Sequence, residues 1–251
     1  MKAMIGYGVF RKPDMFPWYI SGIEEHFPPD TPTYFYLEAM RLEDLNALEA
    51  SCEPQRPRWP VYLSGSGRHH ILEHGVHRHL IDRFMDTDCD VLIVPHDDNR
   101  FQRPLLPDLE RLCTQYGTTL GWISGRDGYS PGYADMVCSP FSQSIGAEKE
   151  FLPIGHHREV MMMNTGPVVY FRHVIHKVGM PDPDMPWYWW DDYALRCHTA
   201  GLKNVLLSMD CLHEKFGRLS DNPALGDGNL VADCLKELQE RWRPILGRDP
   251  L

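Results

Sequence analysis

The sequence predicts an α/β domain with a central, mostly parallel sheet flanked by helices. Three observations predict it. Short apolar or β-branched runs alternate with stretches of helical spacing along most of the 251 residues. Small or acidic clusters follow several of the apolar runs, which places polar groups where strands end. The length suits one large domain, with no internal repeat and no low-complexity tract to divide it.

The elements follow in order. Met1–Phe10 reads as the opening strand, with a Gly6-Tyr7-Gly8 turn whose small residues allow close backbone approach to a ligand. Thr33–Leu37 and Pro60–Leu63 read as further strands, the second leading into Ser64-Gly65-Ser66-Gly67, and the Pro-rich stretch 52–60 as a connecting loop. Ile71–Met85 has helical spacing, with Leu72, Val76, Leu80 and Phe84 on one stripe. Asp90–Val94 is an apolar strand running into Pro95-His96-Asp97-Asp98-Asn99. A helix over Leu105–Tyr116 and a strand over Thr118–Ser124 come next; 131–157 carries no readable period. Val168–Val178 fits a strand entering a short helix closed by Gly179, and Asp192–Ala200 a helix stopped by Gly201. Val205–Leu207 is a late strand before Cys211-Leu212-His213, and Leu230, Cys234, Leu235, Leu238 and Trp242 mark a closing amphipathic helix.

Bulk properties narrow the function. A net charge of −10 argues against a general nucleic-acid partner, because phosphate backbones demand Lys/Arg surfaces. No apolar run is long enough to span a membrane and the N-terminus has no secretory pattern, so the reading is of a soluble protein. The apolar face of the closing helix suits peripheral membrane association or packing on the domain equally well. Seven scattered cysteines, with no CxxC pair, fit a reducing cytoplasm better than a disulfide framework, with Cys89 and Cys211 in contexts typical of buried thiols.

Four groups of residues have the chemistry for a site. Asp97-Asp98, after a buried strand, suits a hard divalent metal and its diphosphate, with Asp98 as ligand and Asp97 at the ribose or the metal; the competing reading is an acid-rich turn or a helix N-cap. Asp191-Asp192 suits a general base beside Trp187-Tyr188-Trp189-Trp190, whose rings could stack on sugar or simply join the core. His213 is a third metal ligand, a phosphate contact or a half-buried structural imidazole. The cluster His69, His70, His74, His77 and His79 lacks any HExxH or Cys/His pattern and reads as a solvated helix face, and His156-His157 similarly.

The order of these parts resembles the family-two glycosyltransferases of the GT-A fold, best between about 60 and 215. The motifs that carry it are Met4–Tyr7, Val61–Gly67, Val91–Asn99, Asn164-Thr165-Gly166 with Val168–Phe171 and Arg172, Val178-Gly179-Met180-Pro181-Asp182, Trp190–Arg196 with Ala200-Gly201-Leu202, and His213. The resemblance implies a single GT-A-type domain over 1–251, with a donor half (1–125) and an acceptor and base half (126–251). It implies inverting transfer of a sugar from a nucleotide-diphosphate donor to a hydroxyl of a glycan or other acceptor, with a divalent metal, Mn or Mg, as cofactor. The late acidic pair aligns in more than one register, so Asp191 and Asp192 share the base role on this reading, Asp191 first, with Asp192 orienting it or binding acceptor; Asp98 and His213 are at the metal, Gly6, Tyr7, Gly8, Ser64 and Asp97 at the donor, and Trp189 and Trp190 at the acceptor. The chain departs from the pattern in two places. The central motif reads His96-Asp97-Asp98 rather than Asp-x-Asp, and Ser64 stands where many members carry an acid. The alternatives are a catalytically silent carbohydrate-binding or scaffold protein of the same fold, a nucleotidyltransferase, or a hydrolase built on the histidine cluster.

Overall fold

The computed structural model describes residues 1–10, 16–38, 43, 46–47, 49–50, 61–64, 73–95, 99–127, 153–162, 167–213 and 228–250. Ten strands are described: β1 Ala3–Phe10, β2 Thr33–Glu38, β3 Val61–Ser64, β4 Val91–Val94, β5 Asn99–Phe101, β6 Leu120–Asp127, β7 His157–Val160, β8 Val168–Phe171, β9 Lys203–Met209 and β10 Cys211–His213. The helices are α1 Phe16–His26, α2 Glu73–Met85, α3 Leu106–Tyr116, α4 Arg172–Val178, α5 Trp189–Thr199 and α6 Gly228–Leu246.

Eight strands form one sheet in the order β3-β2-β1-β4-β8-β6-β9-β7, and β5 pairs with β10 in a separate ribbon. Pairings β3-β2, β2-β1, β1-β4 and β6-β9 are parallel, while β8 and β7 run against their neighbours. The sheet is therefore mixed but mostly parallel, as the alternation of elements predicts. All four residues of β4 and all four of β8 are buried. A strand covered on both faces has no polar side to show, which is why both read as unbroken apolar runs.

The first crossovers set the ligand end of the sheet. From β1 the chain steps to β2 and β3 on one side, then returns to lay β4 on the other side of β1. The carboxyl ends of β1 and β4 thus flank a topological switch point, where an open sheet leaves a crevice between diverging loops.

Gly6, Tyr7 and Gly8 lie within β1 rather than in a turn, which corrects the reading of that segment. A Cβ at Gly6 would stand 3.0 Å from Leu80 Cδ1, and one at Gly8 would stand 2.6 Å from Val76 Cγ1. The glycines therefore let α2 approach the strand. Tyr7 is fully buried and stacks on Tyr19 at 5.3 Å and Phe35 at 5.6 Å. It is a core residue, and its ring is not placed to meet a donor.

Helix α2 is anchored at its last turn by Arg172, the first residue of α4. The guanidinium donates to the carbonyls of Phe84 (3.1 Å), Met85 (3.2 Å), Thr87 (2.7 Å) and Cys89 (2.9 Å) and lies over the Phe84 ring. A cation on the last helical carbonyls answers both the open acceptors and the negative end of the helix dipole. The expected stripe holds at Leu80 and Phe84, but the histidine face is a correction. His77 is 2% exposed, with Nδ1 2.8 Å from the Tyr170 hydroxyl, and His74 is 9% exposed, with Nε2 3.1 Å from the Pro183 carbonyl. The helix is covered on that side by α5 and the segment 181–183, so these imidazoles are structural; His70 lies outside the described residues.

Three elements escape the sequence reading. Helix α1 buries Tyr19, Ile20 and Ile23. Strand β7 is an edge strand of sequence HREV with no fully buried residue, so it has no apolar signal to read. Strand β5 is three residues long and starts on Asn99. The buried thiols expected at Cys89 and Cys211 are observed. Helix α6 seats its apolar face on the domain: Leu238 and Trp242 cluster with Met162, Met185 and Leu195. No helix among the described residues is long and apolar enough to cross a membrane.

Close approach of β6 to the start of β8 depends on Gly125. Its N–H donates to the Pro167 carbonyl, and a Cβ there would stand 2.9 Å from that oxygen and 3.0 Å from Met209 Cγ. Gly125→Ala is expected to cost about 1–3 kcal/mol of stability by urea denaturation, since a backbone oxygen cannot rotate away. An unchanged midpoint would show that the two segments can part freely.

Candidate active site

Two pieces of chain lie toward the carboxyl end of the sheet. The first begins at β4, which ends at Val94; the next described strand, β5, opens on Asn99, one residue after Asp98. Strand β10 pairs antiparallel with β5, matching His213 to Asn99, Leu212 to Arg100 and Cys211 to Phe101. The ribbon therefore brings the backbone of His213 directly opposite the residue that follows Asp98. Asp97 and Asp98 lie outside the described residues, as do the side chains of Ser64 and His213. The backbone of Ser64 ends β3, paired with Glu38 at the end of β2. Among the described residues no three His, Cys, Asp or Glu side chains gather as a metal site.

The second piece is the first turn of α5. Leu202 N–H bonds Cys197 O and Asn204 Nδ2 bonds Ala194 O at 2.7 Å, which sets the last turns of α5 at the amino ends of β6 and β9. Its first turn, with Asp191 and Asp192, therefore points toward the carboxyl ends. Strands β6 and β9 run in the same sense as β4, so this is also the end at which β4 stops.

Helix α5 starts at Trp189, earlier than the expected Asp192, and that phase divides the aromatic run. Trp189 is fully buried, 4.7 Å from the His77 ring and 5.9 Å from Trp122. It belongs to a core cluster with Tyr170 and Tyr193, which corrects its assignment to an acceptor surface. Trp187, Tyr188 and Trp190 remain half-buried. Tyr188 just before the helix has φ of 58° and ψ of 13°, the one non-glycine in the left-handed region among the described residues. A bulky residue held there costs about 1–3 kcal/mol, and such strain clusters at functional sites.

The two carboxylates differ in kind. Asp192 is fully buried and held from three sides: Oδ1 accepts from Arg241 Nη1 at 3.1 Å and Trp242 Nε1 at 3.0 Å, and Oδ2 lies 3.0 Å from Arg196 Nε. Arg196 also donates to the carbonyls of Val178 (2.9 Å) and Met180 (2.8 Å), and Arg241 to Asp182 Oδ2 (2.8 Å). Asp192 is thus the centre of an ion network, not a mobile acid. Asp191 is equally buried, at 1% exposure. Burial pushes its pKa well above the usual carboxylate range; the nearby Trp190 indole N–H partly offsets this, and the neighbouring Asp192 charge adds to it.

A recess of about 430 Å³ on the flank is lined by Arg103, Asp108, Arg111, Gly155, His156 and His157. Its charges are already matched. Asp108 pairs with both arginines, Arg111 also donates to the Gly155 carbonyl, and its Nη1 lies 3.3 Å from His157 Nδ1. Burial and Arg111 lower the His157 pKa. His156 is exposed, as expected, while His157 is half-buried and 3.2 Å from the Tyr116 hydroxyl. The recess braces the segment entering β7.

No protein-family model matches the chain, and no curated protein matches it in sequence. Solved structures match it in fold. GalNAc-T7, in a complex with UDP, GalNAc and Mn²⁺, superimposes with a TM-score of 0.62 at 10% identity, over 85% of this chain and 44% of that one. TarS from S. aureus gives 0.56 at 10% identity, over 83% and 35%. The Pyrobaculum calidifontis mannosyltransferase PcManGT, in complex with GDP-Man and Mn²⁺, gives 0.55 at 11% identity, over 96% and 71%. The fold is that of the GT-A glycosyltransferases. The chain spans less than half the length of GalNAc-T7 and TarS.

The adjacent acids are expected to respond to substitution with opposite signs. A carboxyl whose folded pKa is raised holds its proton longer in the native state than in the unfolded chain. Stability is then lost as pH climbs from the unfolded value through the folded one. Asp191→Asn removes that loss and is expected to raise Tm at pH 7 by about 2–4 °C, with no gain near pH 3. Asp192→Asn strips the charge from a buried network and is expected to cost about 3–5 kcal/mol. Parallel thermal scans of the two variants at both pH values check the pair; equal losses for both would refute the division of roles.

Proposed function

We propose that the chain is a metal-dependent glycosyltransferase that moves a sugar from a nucleotide-diphosphate donor to a hydroxyl acceptor, with inversion. The observation that carries the reading is the β5–β10 ribbon at the switch point: it sets His213 across from Asn99 at the same end of the sheet as Asp191. The fold likeness to GalNAc-T7 and PcManGT, whose structures hold Mn²⁺ with UDP or GDP-Man, supports the donor class.

On this reading Asp98 and His213 hold a Mn or Mg ion, a set of one hard oxygen and one imidazole nitrogen that suits either. Such an ion, when bound, neutralises the departing diphosphate. Ser64, at the end of β3, and Asp97 contact the donor. Of the donor contacts expected on β1, Tyr7 is spent in the core and the glycines on α2, which leaves the strand's carboxyl end.

Asp191 is the general base. Its raised pKa makes it a stronger proton acceptor than an ordinary carboxylate, and it takes the acceptor hydroxyl's proton as that oxygen attacks the anomeric carbon. Asp192 orients the helix start from which Asp191 projects. Trp190, half-buried and 5.9 Å from the buried Trp189 ring, supplies an aromatic surface against the acceptor. The thiols of Cys89, Cys197, Cys211 and Cys234, buried in the domain, suit a reducing, cytoplasmic setting. A silent scaffold would gain nothing from the cost of burying Asp191, which favours the enzyme reading over it.

Calorimetric titration with nucleoside diphosphates and nucleotide sugars, with and without Mn²⁺, tests the proposal on the wild type and Asp98→Ala. Binding should require the metal and weaken by about tenfold or more in the variant. Absence of any nucleotide binding would leave only a scaffold of the same fold.

A further inference from the structure

Helix α6 is joined to the candidate site by more than apolar packing. Leu238 and Trp242 seat it on Met162, Met185 and Leu195, beside the partly buried Tyr188. From that seat it sends two polar side chains to one buried oxygen, Asp192 Oδ1: Arg241 Nη1 at 3.1 Å and Trp242 Nε1 at 3.0 Å. Arg241 is fixed in turn by Glu237 Oε1 at 2.8 Å on its own helix and by Asp182 Oδ2 at 2.8 Å. A core of a few apolar side chains would hold a helix without this network. Buried charges are costly unless fully matched, so their presence points to a requirement for orientation.

We infer that Arg241 and Trp242 are positioning residues of the acid pair: α6 fixes the Asp192 carboxylate, and with it the start of α5 from which Asp191 acts. The inference rests on the glycosyltransferase reading for the role of Asp191, and on geometry alone for the coupling. Asp192 N–H bonds the carbonyl of left-handed Tyr188 at 3.0 Å, so the network also holds the strained residue that leads into the helix. Among the described residues, charged groups at the pair include Arg196 on α5, Arg241 and Glu237 on α6, and Asp182 on the preceding turn. The Tyr188 phenol and the Cys234 thiol are the neutral titratable neighbours, and both are held neutral longer by burial.

Removing Arg241 leaves the Asp192 charge less compensated, with Arg196 still paired to it. Asp191 then feels more like charge and is expected to titrate higher, by about one pH unit. The test follows the Asp191 carboxyl by ¹³C NMR titration in the full chain, for wild type, Arg241→Ala, Arg241→Lys and Trp242→Phe. Calorimetry with Mn²⁺ and nucleoside diphosphate runs on the same samples. The expected result is an upward shift in Arg241→Ala, largely reversed in Arg241→Lys, with unchanged nucleotide affinity. Turnover, read as nucleoside diphosphate released from the best-bound nucleotide sugar, should fall in kcat with donor KM preserved. Trp242→Phe keeps the packing and deletes one donor, so a smaller shift of the same sign is expected there; it decides the matter if Arg241→Ala does not fold. An Asp191 titration that is identical in all four proteins, whatever happens to Tm, overturns the inference. If the wild type binds no nucleotide while the titration still shifts, the functional reading fails and the coupling stands.

Discussion

Strand β4 is the constraint on which the rest of the architecture depends. It lies between β1, which it parallels, and β8, which opposes it, and every one of its four residues is buried. A backbone in that position can change direction or take on polar groups only past its end, at Pro95 and beyond. Because β1, β2 and β3 build outward on the other side, the crevice at the end of β4 is also where the first loops diverge. The chemistry is thus confined to one edge of the sheet by strand order, before any side chain is considered.

The amino end of the sheet is held by polar side chains as well as by apolar packing. Arg172 ties the end of α2 to the start of β4, and Arg196 ties α5 to the turn at 178–180. Asn204 joins Ala194, Met161 and the Trp122 N–H at one buried point. These polar side chains do what apolar residues cannot: they fix backbone carbonyls in direction as well as in depth. Against that rigid frame Asp191 is a fully buried acid whose pKa is raised by that burial. Its burial weakens the fold at neutral pH and raises its affinity for a proton; on the proposed reading this is the trade an active site makes against stability.

How much of this was legible depends on what each residue's environment leaves in the sequence. Strands β4 and β8 were readable because burial on both faces produces a continuous apolar run. The ribbon is half-readable: Cys211–His213 stands out after a late strand, but its partner β5 is polar and three residues long. The acid pair was visible as a pair. Which acid was structural was not, since the partners that decide it, Arg241 and Trp242, lie 49 and 50 residues away. Trp189 and Trp190 are indistinguishable until the helix start is known, because one residue of phase decides which ring faces the core. His77 is illegible for a similar reason: an imidazole in a histidine-rich helix shows no sign of the Tyr170 hydroxyl that satisfies it. Tyr7, between two glycines, reads as part of a turn because the helix that demands those glycines is distant in sequence.

The most direct test of the account is where a divalent ion binds. Substoichiometric Mn²⁺ added to ¹⁵N-labelled protein, with a nucleoside diphosphate present, broadens amide signals around the ion it occupies. The account predicts loss of the Asn99, Arg100, Leu212 and His213 signals first, with those of His74 and His77 on α2 and of His156 and His157 at the flank still sharp. Broadening centred on α2 or on the flank recess, with the β5–β10 signals intact, would contradict it.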